Sequence, residues 1–138
     1  MRLVITICCA MALATSSASA ACVLDDYSVR AEYGRSAVVA LALVVSERSE
    51  PEQPERGLLD GTVYTLRLQE AFRGHPSSTI EVFSENSSGR FPMVKGRNYL
   101  VFLYSQLGWL SADYCGNSGL VSDKQSVIRE VRELAHSR

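Results

Sequence analysis

Short apolar runs with the period of a β-strand dominate the chain after its first twenty residues. Residues 62–72 alternate most clearly, because Tyr64, Leu66 and Leu68 share one face and polar residues occupy the other. In residues 79–84 the apolar positions are Ile80 and Val82, which we expect to point inward. Further runs of this kind predict strands at residues 37–45, 98–105 and 109–114. The pattern therefore predicts a mainly β domain of five strands.

The last part of the chain changes to a helical period. Ser122 followed by Gln125 has the spacing of a capping box, which predicts that a helix begins there. We expect the helix to dock on the sheet through one apolar stripe. The stripe consists of Val127, Ile128, Val131, Leu134 and Ala135.

Residues 46–61 interrupt the strand pattern with two prolines and four glutamates. Proline removes a donor from a strand ladder and charged side chains resist burial, so this composition predicts a long solvated loop between two strands. Five short strands need their edges covered, and a small closed or partly open barrel does this.

The chain begins with the pattern of an export signal. An apolar run at residues 3–14 precedes small residues that end in Ala18-Ser19-Ala20. The run is shorter than the roughly 20 residues that a membrane-spanning helix needs. We therefore predict a signal peptide at residues 1–20, cut after Ala20 or alternatively after Ala21, and a secreted or periplasmic protein with no transmembrane segment.

Removal of this leader leaves two cysteines, Cys22 and Cys115, because Cys8 and Cys9 lie within it. In an oxidising compartment we expect them to form a disulfide bond. The alternatives are a free thiol or a lipid anchor at Cys22. A lipid attachment signal favours a leucine-like residue at the position that Ser19 occupies here.

Length and charge narrow the class of protein. Residues 21–138 fit a single domain, which we expect to be a monomer. The whole chain carries 14 basic and 15 acidic residues, so the basic footprint of a nucleic-acid-binding protein is missing.

Residues for catalysis or metal binding are sparse. The mature chain has two histidines, His75 in a predicted turn and His136 near the end, and neither position offers the rigidity that a preorganised site needs. A zinc site built from them with Cys22 and Cys115 lacks close ligand spacing and would need the disulfide reduced. We predict no catalytic residue, no metal and no cofactor.

The aromatic residues of the fourth and fifth predicted strands differ in their expected environment. Tyr99, Phe102 and Tyr104 alternate within an apolar strand and are expected to pack. Trp109 and Tyr114 are the better candidates for exposure, and without basic neighbours they favour a protein or carbohydrate partner.

The order of several short segments resembles the netrin-like module. These segments are residues 71–74 (AFRG), 80–83 (IEVF) and 96–102 (GRNYLVF), followed by a hairpin that ends in Cys115 and by the helix. In particular, the chain is similar to bacterial versions of the N-terminal domain of tissue inhibitors of metalloproteinases. The resemblance implies a five-stranded OB-fold barrel with flanking helices, including a short helix within residues 27–35.

The same resemblance implies a function, but this sequence lacks a cysteine on which that function depends in the family. Animal inhibitors of this type begin with Cys-x-Cys, and the amine and carbonyl of the first cysteine chelate the zinc of the protease. By this resemblance Cys22 takes the place of the second cysteine, paired with Cys115, whereas the first place falls on Ala20. Residues 86–89 also lack the partner of that first cysteine. Cleavage after Ala21 would nevertheless leave the amine of Cys22 free to fill the open position of a catalytic zinc.

We therefore predict an exported, non-catalytic protein-binding module, by resemblance a metalloprotease inhibitor. The alternative is a module that binds another envelope or extracellular protein, or a glycan, without zinc. Besides the loop at residues 47–60, the candidate contact surface comprises Ala21, Cys22, Val23, Gly116 and Asn117.

Overall fold

The computed structural model describes residues 22 and 26–137. The predicted leader, Ala21 and Val23 lie outside the described residues. Within them the protein is mainly β, with a helix before the first strand and another after the last. The elements in chain order are α1 (Val29–Arg35), β1 (Val38–Glu50), β2 (Gly61–Arg73), β3 (Thr79–Glu85), β4 (Asn98–Gln106), β5 (Trp109–Ala112), β6 (Gly119–Leu120) and α2 (Gln125–His136).

Five of the strands pair in a ring, in the order β1-β2-β3-β5-β4 and back to β1. The pairs are antiparallel except for β3 and β5, which run parallel with Val82 opposite Leu110. Because each of these strands has a neighbour on both sides, the ring removes the exposed edges that an open sheet would have. The short β6 adds to β4 and was not predicted, since two residues carry no periodicity.

The length of β1 makes the ring possible. Its first part, from Val38 to Leu43, pairs with β4, while its pairing with β2 continues to Glu50. Three register shifts against β2 bend the strand between its two partners. The predicted loop at residues 46–61 is therefore wrong in its first part, because residues 46–50 continue β1. Their side chains are largely exposed, so a polar sequence is compatible with pairing through the backbone.

The interior of the ring contains the strand faces that the alternation predicts. Tyr64 and Leu66 are buried there, and Leu68 packs against the same cluster. Val82 is also buried, with Ile80 beside it. These predictions are confirmed. The other buried members are Val38, Ala40, Ala42, Val44, Met93, Tyr99, Val101 and Leu103.

A second apolar cluster joins the two helices to the outer side of the ring. Ile128, Val131 and Leu134 of α2 are buried against Leu100 and Phe102 of β4. The predicted docking of the apolar stripe is thus confirmed. The packed position expected of Phe102 is also confirmed.

The start of α2 differs from the start that the sequence predicts. The predicted capping box is wrong, because α2 begins at Gln125 after a 3₁₀ turn at Val121–Asp123 and has no side-chain cap at Lys124. Since Ser122 lies within that turn, its hydroxyl donates to Asp123 (2.9 Å) and does not reach the helix.

The short helix α1 lies within the segment that the resemblance implies. Ser28 caps it by accepting a hydrogen bond from the backbone N–H of Ala31 (3.3 Å). The N–H of Ser28 donates to the carboxylate of Asp26 (2.8 Å), and this bond lowers the pKa of Asp26.

Candidate functional site

The predicted pair of cysteines is joined. A disulfide bond links Cys22 to Cys115 across 93 residues of sequence, with the two Cα atoms 5.7 Å apart. Cys22 is exposed, and Cys115 lies in the loop that follows β5. The bond therefore links the first described residue to the loop that follows the hairpin of β4 and β5.

Asp113 holds the loop that carries Cys115. One carboxylate oxygen accepts the backbone N–H of Cys115 (2.9 Å), and the other accepts the hydroxyl of Tyr27 (3.0 Å). The N–H of Gly116 donates to the carbonyl of Asp113 (3.1 Å). The segment before α1 and the loop after β5 are thus bonded to each other independently of the disulfide.

Beneath this loop lies Glu32, a fully buried carboxylate on α1. Its Oε1 accepts the hydroxyl of Tyr104, and its Oε2 accepts both the backbone N–H and the side-chain amide of Asn117, each at 2.7 Å. A buried carboxyl group needs such donors, since charge transferred from water without partners is strongly unfavourable. The network connects α1, β4 and the loop after β5.

Tyr104 responds to this environment. Burial, followed by the hydrogen bond to Glu32 and its negative charge, raises the pKa of Tyr104 well above its ordinary value. The phenol therefore keeps its proton, and remains a donor, to a higher pH than a free tyrosine.

Gly116 fits here because it lacks a side chain. A Cβ atom at this position would clash with the carboxylate of Glu32. The loop backbone consequently lies directly on the buried carboxylate, and a larger residue would displace one of the two.

The side chain of Asn117 is used within the molecule. Besides its bond to Glu32, its amide donates to the carbonyl of Tyr27 (2.7 Å). Gly116 and Asn117 thus lie beside the disulfide, and their contacts with the carboxylate of Glu32 hold the loop in position. On the outside, Tyr114 is 60% exposed, as its sequence context predicts.

Two other predicted surface features lie elsewhere. Trp109, predicted to be exposed, is partly buried, because its ring packs 5.5 Å from that of Phe83, outside the ring interior. The connection after β1 is short, with a 3₁₀ turn at Pro54–Arg56 and a bridge between Gln53 and Leu58. The long loop expected at residues 47–60 is therefore a compact turn at residues 51–60.

The histidines occupy the predicted exposed positions. His75 lies in the turn between β2 and β3, and His136 is the last residue of α2, with its Nδ1 2.6 Å from the carbonyl of Arg132. Over residues 22 and 26–137, no group of three or more acidic, histidine or cysteine side chains is arranged to hold a metal ion. Nor does this part of the chain contain a helix with the length and apolar character to cross a membrane.

The sequence alone gave no signal for Glu32. Within VRAEYGR it reads as an ordinary solvated residue of a short helix. Its partners Tyr104 and Asn117 are separated from it by 72 and 85 residues. Only the tertiary structure shows that the carboxylate lies beneath the disulfide loop.

Comparison with known proteins does not assign a family. No family model matches the sequence, and no curated protein matches it.

Proposed function

We propose that the protein is an exported, non-catalytic binding module whose contact surface surrounds the disulfide between Cys22 and Cys115. The observation that carries this proposal is the fixed position of the loop after β5. The disulfide, Asp113 and the buried Glu32 each hold this loop from a different side. A surface that is ordered before binding loses less conformational entropy when a partner binds.

The OB-fold assignment belongs to the same proposal. The cyclic order β1-β2-β3-β5-β4, the parallel β3–β5 pair and the bent β1 support a small Greek-key barrel. A helix on each side of the strand sequence supports the netrin-like variant. The loop after β5 and the segment of Cys22 then correspond to the part of the module that contacts a protease.

Export is the second part of the proposal. A disulfide is typical of oxidising compartments, and its position directly after the predicted leader supports secretion or transfer to the periplasm. We also propose that no catalysis occurs, because the two histidines of the mature chain lie at an exposed turn and at a helix end, positions without the rigidity that a preorganised site needs.

The partner that the resemblance favours is a zinc metalloprotease. Inhibition by the zinc-chelating route requires Cys22 to be the N-terminal residue, because an amine in a peptide bond cannot coordinate the metal. The sequence lacks the first cysteine of the family, so Cys22 becomes the N-terminal residue only if the leader is cut after Ala21.

A matched pair of N-termini tests this route. We would prepare the disulfide-bonded protein beginning at Cys22 and the same protein with Ala21 retained, and add each to a panel of zinc proteases. The form beginning at Cys22 is expected to slow proteolysis and the longer form is not. If neither form slows any protease, the inhibitor function is excluded. Intact mass of the exported protein identifies which form exists and whether Cys22 carries an acyl chain.

The absent first cysteine favours a second candidate function. In this alternative the same surface binds another extracellular or envelope protein, or a glycan, with no role for zinc. Both N-terminal forms would then bind equally well. Substitution of the exposed Tyr114 by alanine would weaken binding in both.

A further inference from the structure

Two adjacent cavities open between the connection after β1 and the segment after β3. The first, of about 280 Å³, is also bordered by β5 and by the turn between β4 and β5. The second, of about 450 Å³, is also bordered by the end of β1 and the start of β2. Ser84 borders both, and Glu85 of the first directly precedes Asn86 of the second. Neither cavity includes a residue of the surface around Cys22.

The wall of the first cavity combines aromatic rings with polar side chains. Trp109 and Phe91 are partly exposed there, and the ring of Phe83 packs against that of Trp109. In ligand sites, aromatic side chains supply contact area and a few polar groups fix the orientation of the ligand. A sugar ring fits both, because one of its faces presents C–H groups and its edge presents hydroxyl groups. The polar lining residues are Ser84, Glu85, Ser87, Gln106 and Ser111.

Three polar side chains of that wall are free to bind a ligand. Among the described residues, Ser87, Gln106 and Ser111 make no side-chain hydrogen bond. Hydroxyl and amide groups both donate and accept, which matches the hydroxyl groups of a sugar. The polar groups beneath the disulfide loop differ, because Glu32 and its partners bond to each other within the chain.

The second cavity is polar almost throughout. Apart from Pro51, its lining side chains carry hydrogen-bonding groups. The guanidinium of Arg90 has no partner among the described residues, whereas Asp60 accepts the side-chain amide of Asn86 (3.3 Å). Such a wall favours a second hydroxyl-rich unit over an apolar group. The polar lining residues are Ser49, Glu50, Asp60, Thr62, Ser84, Asn86 and Arg90.

The charges of the two walls favour a neutral ligand. Carboxylates are contributed by Glu85 in the first cavity and by Glu50 and Asp60 in the second. Arg90 is the cationic side chain among the described lining residues. Because carboxylates outnumber the guanidinium, the site repels a polyanion such as a nucleic acid or a sulfated glycan.

Hydrogen bonds between the wall segments form the first cavity before a ligand binds. The carboxylate of Glu85 accepts the N–H of Leu59 (3.1 Å), which joins the end of β3 to the connection after β1. The guanidinium of Arg56 donates to the carbonyl of Leu107, which joins the same connection to the turn between β4 and β5. A site that is ordered in advance loses less conformational entropy when it binds.

We propose that the two cavities bind a neutral oligosaccharide. One sugar unit packs on the aromatic rings of the first cavity, and a neighbouring unit binds the polar groups of the second. A protein partner is disfavoured here, because the centre of a protein interface is depleted in charged residues. The proposal adds a second surface to the binding role proposed above and depends on none of the residues around Cys22. A failure of protease inhibition would therefore leave it unaffected.

Titration of the ¹⁵N-labelled, disulfide-bonded protein tests the proposal. The probes are neutral tetrasaccharides of glucose, N-acetylglucosamine and mannose. At least one of them is expected to shift the amide signals of Ser87 and Thr62, which report on the first and second cavity, in a saturable way. The corresponding monosaccharide fills one cavity and is expected to bind about tenfold more weakly.

Other outcomes of this titration would overturn the proposal. One is the absence of a saturable shift with all the neutral tetrasaccharides, and another is a shift confined to signals outside the two cavities. A third is a shift of the same signals only with a heparin tetrasaccharide or only with N-acetyl-phenylalanine methylamide, the anionic and the peptide probe. Equal affinity for monosaccharide and tetrasaccharide would contradict the role of the second cavity.

Two variants locate the binding site. Gln106→Ala and Arg90→Ala each remove an exposed polar group, the first from the wall of the first cavity and the second from that of the second. Each is expected to weaken binding of the tetrasaccharide about tenfold. Arg129→Ala is the matched control, because Arg129 is exposed on α2 and is part of neither wall. Unchanged affinity in either cavity variant, or an equal loss in Arg129→Ala, would contradict the assigned site.

Discussion

Two regions of the molecule treat their buried polar groups in opposite ways. Around Glu32, each carboxylate oxygen has a donor at 2.7 Å. Around the turn between β4 and β5, the buried indole N–H of Trp109 has no partner among the described residues, and Leu107 has a positive φ. The first region satisfies its polar atoms within the chain, whereas the second leaves one buried donor unpaired and one leucine strained.

The difference indicates what each region is for. The Glu32 network fixes the loop that carries Cys115, so its contribution is to position a surface. The unpaired donor and strained turn destabilise the free protein, and such departures from local rules concentrate at functional sites. We expect substitutions in the first region to reduce stability, whereas Leu107→Asn in the second should increase it.

The largest expected effect is that of the disulfide. Replacement of both Cys22 and Cys115 by serine should lower the free energy of unfolding by about 4 to 5 kcal/mol in the chain-entropy model, because the bond closes a loop of 93 residues. Urea denaturation of the variant and the parent protein measures this change. A loss below about 1 kcal/mol would contradict the stabilisation that the chain-entropy model assigns to this bond.

The next effect is that of the buried carboxylate. Glu32→Ala leaves the hydroxyl of Tyr104 and the amide of Asn117 without their acceptor, and we expect a loss of about 3 to 5 kcal/mol. Glu130→Ala is the control, since Glu130 is exposed on α2 and its removal should change stability by less than about 0.5 kcal/mol. Equal effects of the two substitutions would contradict the structural role of Glu32.

Stability should also depend on pH through Tyr104. Its pKa is raised in the folded protein, so the unfolded chain releases this proton first as the pH rises. The stabilisation is present below about pH 10, the ordinary pKa of tyrosine, and is lost as the pH increases above it. Urea midpoints at pH 8 and pH 11 should therefore fall more in the parent protein than in Tyr104→Phe. Parallel decreases would show that Tyr104 ionises equally in both states.

The parts of the fold that the sequence predicts are those encoded by local periodicity. Alternation located the inward face of β2, and the helical stripe located the buried face of α2. Residues 46–50 were predicted as part of a loop although they belong to β1, because the exposed polar side chains of a paired strand have the composition of a loop. Ser122 was wrongly predicted to cap the helix because serine is favoured both at N-caps and in turns, and here it lies in a 3₁₀ turn.

The candidate site was predictable only in its covalent part. Two cysteines after a leader indicate a disulfide from sequence alone. The burial of Glu32 depends on residues brought near by the ring of strands. The importance of Leu107 depends on a backbone angle, since a Leu-Gly pair in the sequence predicts a turn without showing its handedness.

The smallest expected change has the opposite sign. Leu107→Asn should raise the free energy of unfolding by about 1 kcal/mol, because asparagine tolerates the left-handed conformation that leucine disfavours. Val94→Asn, at an exposed position of comparable polarity change, should leave stability within about 0.5 kcal/mol of the parent value. Urea denaturation at neutral pH measures both.

A stabilised Leu107→Asn protein would separate the two regions most sharply, because it would show that the leucine is retained at the expense of stability. A destabilised Leu107→Asn protein would instead mean that the leucine side chain packs as part of the core. In that case the turn between β4 and β5 would belong with the Glu32 region as a structural feature, and the contrast between the two regions would disappear.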